Sequence, residues 1–159
     1  GLTALYKRFN DPFEEDQMIL DLRNLHQEID REILGIYGWN DISTNCGFGV
    51  EFLPEYDESK LSSEISLHIE KDEILFMNVS DAKYFAQKFN EIVNKNKRLN
   101  WRYRWPKLVK EKVLALLLEL NERYYLEQSN YLLSQQTKNH KVNKLKNSFS
   151  HNQKELDLS

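Results

Sequence analysis

The run from Asn100 to Tyr125 most constrains the fold, because an aromatic and basic ribbon passes through Pro106 into a long apolar stretch. Trp101, Tyr103 and Trp105 alternate with Arg102 and Arg104. An extended backbone would put the rings on one face and the guanidinium groups on the other. Pro106 has no N–H to give to a strand ladder, yet it suits the first turn of a helix, where that N–H would have no partner. The ribbon is therefore predicted to be extended and to become a helix at Lys107. Along that helix Leu108, Val109, Val113, Leu116, Leu117, Leu120 and Tyr124 are expected to form a long buried face that continues to Leu132 or Leu133.

A second long helix is predicted from Met18 to Tyr37. Met18, Leu22, Leu25, Ile29, Ile33 and Ile36 recur every three or four residues after the acidic start Glu14-Glu15-Asp16, and Gly38 provides a stop. The apolar stripe reads as core. A shorter helical run, Leu2 to Phe9, precedes it and is broken by Asn10-Asp11-Pro12. The middle of the chain reads as β. Gly47 to Leu53 is a strand candidate ended by Pro54, Glu64 to Ile69 alternates apolar and polar residues, and Ile74 to Val79 continues after a turn at Lys71-Asp72. Ser80 or Asp81 is placed to cap a short helix carrying Tyr84, Phe85, Phe89, Ile92 and Val93, and Asn94 to Asn100 reads as a loop.

These elements predict an α+β fold that is predominantly α-helical: two long amphipathic helices packed together, with an inserted β-hairpin and a short third helix. Residues 1–136 form the domain, residues 61–94 its variable insertion, and residues 137–159 a flexible polar and basic tail. A chain of 159 residues has room for one core and no second catalytic domain. Gly1 directly before Leu2 reads as a cloning remnant on an excised piece.

Charge is unevenly placed. The formal net charge is -3, but Pro12 to Asp81 is rich in Asp and Glu, whereas Lys95 to Lys112 concentrates lysine and arginine. A polyanion would meet the second segment. Cys46 is the only cysteine, which excludes an intramolecular disulfide or a multi-cysteine zinc site and fits a reducing cytoplasm. No apolar stretch is long enough to cross a bilayer.

Two readings of the ribbon stay open. In one, Trp101, Tyr103 and Trp105 stack on bases while Arg102, Arg104, Lys107 and Lys110 pair with phosphates. In the other, the rings are pinned against the helices and the arginines pair with the acidic first half. Other chemistry is poorly supported. Glu58-Ser59-Lys60 and Asp81-Ala82-Lys83 fit the acidic-x-lysine pattern of metal-dependent nucleases, but neither follows an acid on a strand. His26, His68, His140 and His151 lack the spacing of a metal-ligand fork, so no metal site is assigned. His68 is expected on the exposed side of a strand.

The sequence Trp101-Arg102-Tyr103-Arg104-Trp105-Pro106, followed by Val113 to Arg123, resembles the end of large bacterial DNA adenine methyltransferases of restriction–modification and phage-defence systems. Leu2 to Pro12, Leu22 to Arg31 and Tyr37-Gly38-Trp39-Asn40-Asp41 are similar to the segment that follows the target-recognition region in those enzymes. The resemblance covers roughly half the chain. It implies a parent that uses S-adenosylmethionine, with catalysis outside this chain. The Asn-Pro-Pro-Tyr element that holds a flipped adenine is missing, and Gly47-Phe48-Gly49 opens no dinucleotide-type loop. The expectation is a non-catalytic C-terminal domain that supports target recognition and contacts the backbone of duplex DNA. The alternative is a module that docks on the remainder of the enzyme or on a restriction subunit. No catalytic or cofactor-binding residue is assigned to this chain.

Overall fold

The computed structural model describes residues 1–93 and 98–156, with side chains through residue 136. Contacts divide the chain into Gly1–Glu111 and Lys112–Ser159. The fold is predominantly helical α+β, with a small three-stranded antiparallel sheet.

The chain opens with α1 (Leu2–Asn10) and α2 (Gln17–Ile36). Asp16 caps α2 by accepting from the Met18 N–H at 2.9 Å, and Gly38 ends it with φ at 77°, a conformation that costs glycine little. Between the two helices the Arg8 guanidinium bonds Glu14 and Asp16 at 2.6 and 2.7 Å. That contact holds the Glu14 carboxyl down at about 2.

Strand β1 (Gly47–Val50) lies between β2 (Leu75–Phe76) and β3 (Trp101–Arg104). Phe48 stands opposite Phe76 on one side and Tyr103 on the other. Helices α3 (Ser63–Ile69) and α4 (Val79–Asn90) complete the core. Phe48, Val50, Ile65, Phe76, Phe85, Phe89 and Ile92 are buried there together. Helix α5 (Lys107–Leu156) begins where Pro106 ends the sheet.

Several expectations are corrected. Glu64 to Ile69 is helix, not a hairpin arm: Ser62 caps it, accepting from Ile65 N–H, and Ile65 and Ile69 fall one turn apart toward the core. The alternation of Ile65, Leu67 and Ile69 does not mark a strand face, because Leu67 is exposed. No hairpin therefore forms from those two arms. Strand β2 pairs with β1 instead. His68 consequently lies on a helix, with its ring 4.9 Å from Phe76 and 5.7 Å from Phe85.

The α2 stripe also faces the other way. Ile19, Arg23 and Leu34 are its buried residues, while Met18, Leu25, Ile29, Ile33 and Ile36 are exposed. The α2 face directed inward is partly polar because Arg23 caps α1 from it. Backbone helix continues to Leu156, past the start of the tail expected at residue 137, and no glycine or proline after Pro106 interrupts it. Of the expected loop from Asn94 to Asn100, residues 94–97, with Lys95 and Lys97, lie outside the described residues. Residues 157–159 of the tail also lie outside them.

Candidate nucleic-acid interface

Strand β3 alternates as its sequence requires. Trp101 and Tyr103 pack on the core side: the Trp101 ring meets Phe76 edge-on at 6.1 Å, and Tyr103 lies 5.0 Å from Phe48 and 5.6 Å from Phe9. The Gln27 amide hydrogen-bonds the Tyr103 hydroxyl, so this ring is fixed at both ends. Its hydroxyl pKa is raised, chiefly by burial. Trp105, just past the strand, is partly buried, and its indole N–H is shut off from solvent without a hydrogen bond of good geometry. The N–H lies on the side of Asp30, whose carboxyl pKa is raised by burial. Tyr103 and Trp105 are thus positioned as packing residues rather than as a free stacking platform.

The cations of the ribbon face carboxylates. Arg102 Nε is 3.1 Å from Glu51, while Arg104 pairs with Glu73 and Lys107 with Asp72. These three contacts differ in exposure. Arg102 and Lys107 are open to water, where an ion pair is worth about 0–1 kcal/mol and exchanges freely. Arg104 and Glu73 are largely covered. The second Glu73 oxygen accepts the Lys107 N–H at 2.8 Å, so this carboxylate joins the strand to the first turn of α5. Arg104 is therefore structural. A Cβ on Gly49 would lie 2.7 Å from the Arg104 Nε, so any larger residue there would make that guanidinium shift from where it crosses β1. Lys110 is exposed.

Arg102 belongs to a different surface. Helix α1 packs along the outer edge of β3, where the Asn10 side chain accepts the Tyr103 N–H at 2.9 Å from a position 93 residues away. This docking brings Lys7 to the same cleft as Arg98 and Arg102. The cleft has a volume of about 650 Å³ and is lined further by Asn10, Asp11, Phe13, Asn90, Asn100 and Trp101. Counting the Glu51 partner of Arg102, three cations meet two carboxylates there, so the field favours an anion. Lys7, Phe13, Asn90, Arg98 and Asn100 are not assigned from the sequence. Only the basic composition around Arg98 points in this direction, since α1 lies far away along the chain.

Comparison with family models, curated proteins and solved structures gives no match.

Other candidate chemistry is weaker. Glu58-Ser59-Lys60 forms one short 3-10 turn, where Lys60 pairs with Asp57, and Asp81 lies in the first turn of α4 while Lys83 reaches Glu15. Among the described residues, no group of three His, Cys, Asp or Glu side chains is placed to hold a metal ion. No described helix is long and apolar enough to cross a membrane. His26 stands against Phe9 at 5.0 Å, and the His140 and His151 side chains lie outside the described set.

Cys46 shares a smaller cavity with His26 and Asp30, but burial, followed by the Asp30 charge, pushes its thiol up to about 11. At pH 8 only about one thiol in a thousand would be ionised, compared with a substantial share of free cysteine. Alkylation by iodoacetamide at pH 8 is therefore expected to be more than about a hundredfold slower in the folded chain than in urea, and to accelerate toward pH 11. Equal rates in the two states would contradict the buried setting.

Proposed function

We propose that this chain is a non-catalytic accessory module of an S-adenosylmethionine-dependent DNA adenine methyltransferase from a bacterial restriction–modification or phage-defence system. It supports target recognition and holds the DNA backbone through the cleft at the β3 edge. The methyl donor and the chemistry belong to the rest of the enzyme. The observation that carries the DNA contact is the charge of the cleft: Lys7, Arg98 and Arg102 line it with one carboxylate, Asp11, while Arg102 also pairs with Glu51 beside it. Backbone contacts of this kind bind without strong sequence preference and release counterions. Arg102 takes part by exchanging the exposed Glu51 carboxylate for phosphate, whereas Arg104 keeps Glu73.

The test is the salt dependence of duplex binding by the full chain and by the Lys7→Ala/Arg98→Ala double variant. Removing one cation from its phosphate should flatten the slope of log K against log salt by about 0.9 on a duplex. The double variant is expected to bind more weakly at low salt, with a slope shallower by up to about 2. An unchanged affinity and slope would overturn the DNA reading.

One observation favours the alternative, protein–protein docking. In α5, Leu114, Leu117, Leu118, Tyr124, Tyr125, Leu126, Tyr131, Leu132 and Leu133 are exposed, a pattern that suits a helix surrounded by other protein. The pairing of Arg104 and Lys107 with Glu73 and Asp72 fits the same view, because it leaves little free charge on the ribbon's outer face. Under this reading, α5 docks on the methyltransferase core or a restriction subunit, and the cleft is a solvated edge.

A further inference from the structure

The cleft beside β3 has features that the outside of a duplex would not use. Its concave volume of about 650 Å³ lies in the size range of pockets that enclose small organic ligands, whereas a duplex presents phosphates along convex ridges. Two of its polar groups are carboxamides. The Asn90 side chain makes no hydrogen bond within the described residues, and Asn100 reaches Glu51 only at 3.4 Å. A carboxamide carries a donor and an acceptor side by side, which matches the edge of a nucleobase rather than a phosphate. In a duplex those edges are confined to the grooves.

The third feature is Phe13. Its ring is 43% exposed on the cleft wall, among cations and amides, and Lys83 Nζ lies 5.7 Å from its centroid. Such a ring supplies the stacking surface that an unpaired base accepts in almost any sequence. The half-buried face of Trp101 lines the same cleft from the strand.

We infer that the cleft receives an unpaired stretch of nucleic acid strand, with phosphates at Lys7, Arg98 and Arg102, a base against Phe13, and its edge toward Asn90 and Asn100. This inference rests on the polyanion reading above and specifies which form of DNA that site prefers. It places the module where a strand has been opened, not along an intact helix.

The experiment compares one mixed-sequence, fluorescently labelled oligodeoxynucleotide as a single strand and annealed to its complement, each titrated at low salt with the full chain. The single strand is expected to bind roughly tenfold more tightly. Phe13→Ala should weaken single-strand binding by roughly tenfold while leaving duplex binding within about twofold. Asn90→Ala should act in the same direction more weakly. Circular dichroism confirms folding of each variant, and since both side chains are exposed, neither change opens the core. Equal affinity for the two DNA forms, or a Phe13→Ala variant that weakens both alike or neither, overturns the inference while leaving polyanion binding intact. Absence of binding to either form overturns the polyanion reading as well.

Discussion

Replacing Phe89 by alanine is expected to remove about 3–5 kcal/mol of stability, the range for deleting a fully buried aromatic ring. Phe89 is 0% exposed, stacks on Phe85 at 5.6 Å and receives the edge of Tyr56 at 5.3 Å. The void left by its ring would lie between helix α4 and the segments carrying Tyr56 and Ile92, which the isolated bridge from Tyr56 to Val93 holds together. Such a loss is a large part of the roughly 5–15 kcal/mol available to an ordinary domain. Phe89→Leu keeps most of the apolar volume and should cost much less. Urea unfolding followed by tryptophan emission reads both, because Trp39, Trp101 and Trp105 all lie in the Gly1–Glu111 unit. A Phe89→Ala loss below about 1 kcal/mol would show that the cluster around Phe85 is not the core.

That core is only partly legible in the sequence. The α4 pattern is clear in part: Phe85 and Phe89, four positions apart, are both buried on it, but Asn78 rather than Ser80 or Asp81 caps the helix, and Ile92 and Val93 lie past its end at Asn90. The ribbon is equally clear: strict alternation ending at proline leaves few options, and Trp101 to Arg104 is a strand followed by a helix from Lys107. Glu64 to Ile69 reads wrongly as a strand because apolar side chains at every second position also place Ile65 and Ile69 one helical turn apart. Local capping by Ser62 decides the outcome, and the apolar periodicity does not. On α2 the strongest apolar stripe in the sequence is outside, since amphipathicity records where apolar residues are, not which partner covers them. The ion pairs of the ribbon match one of the two readings its sequence allows, though the sequence does not name their partners. The cleft is invisible in the sequence, because it depends on Asn10 meeting Tyr103 across 93 positions.

The residue that makes this meeting rigid is Arg23, and its replacement by leucine should also cost about 3–5 kcal/mol, since it removes three hydrogen bonds from a charged donor at about 1.5–3 kcal/mol each. Arg23 is 4% exposed and donates to three backbone carbonyls: Phe9 at 2.9 Å, Arg8 at 3.2 Å and Asp11 at 2.7 Å. These are carbonyls of the last turn of α1 and of the residue after it; the Arg8 and Asp11 oxygens also accept the N–H groups of Asp11 and Glu14, while the Phe9 oxygen depends on Arg23. The guanidinium also lies 4.9 Å from the centre of Phe48 and 5.3 Å from that of Tyr103, so the same group caps α1 and rests on β1 and β3. Burial lowers its pKa, but an arginine remains charged. Leucine would fill part of the space and leave the Phe9 carbonyl without a donor, at about 1–3 kcal/mol if water cannot reach it, while the Arg8 and Asp11 carbonyls would keep only the N–H groups of Asp11 and Glu14. Lysine should rescue only part of the loss, since one ammonium cannot reproduce a planar fork. The helix carrying Lys7 would then loosen from the strand carrying Arg102. Arg23→Leu is therefore expected to weaken DNA binding at temperatures where the chain is still largely folded, together with a lower urea midpoint. A variant whose midpoint and duplex affinity both match the parent would show that α1 is held by something other than this guanidinium.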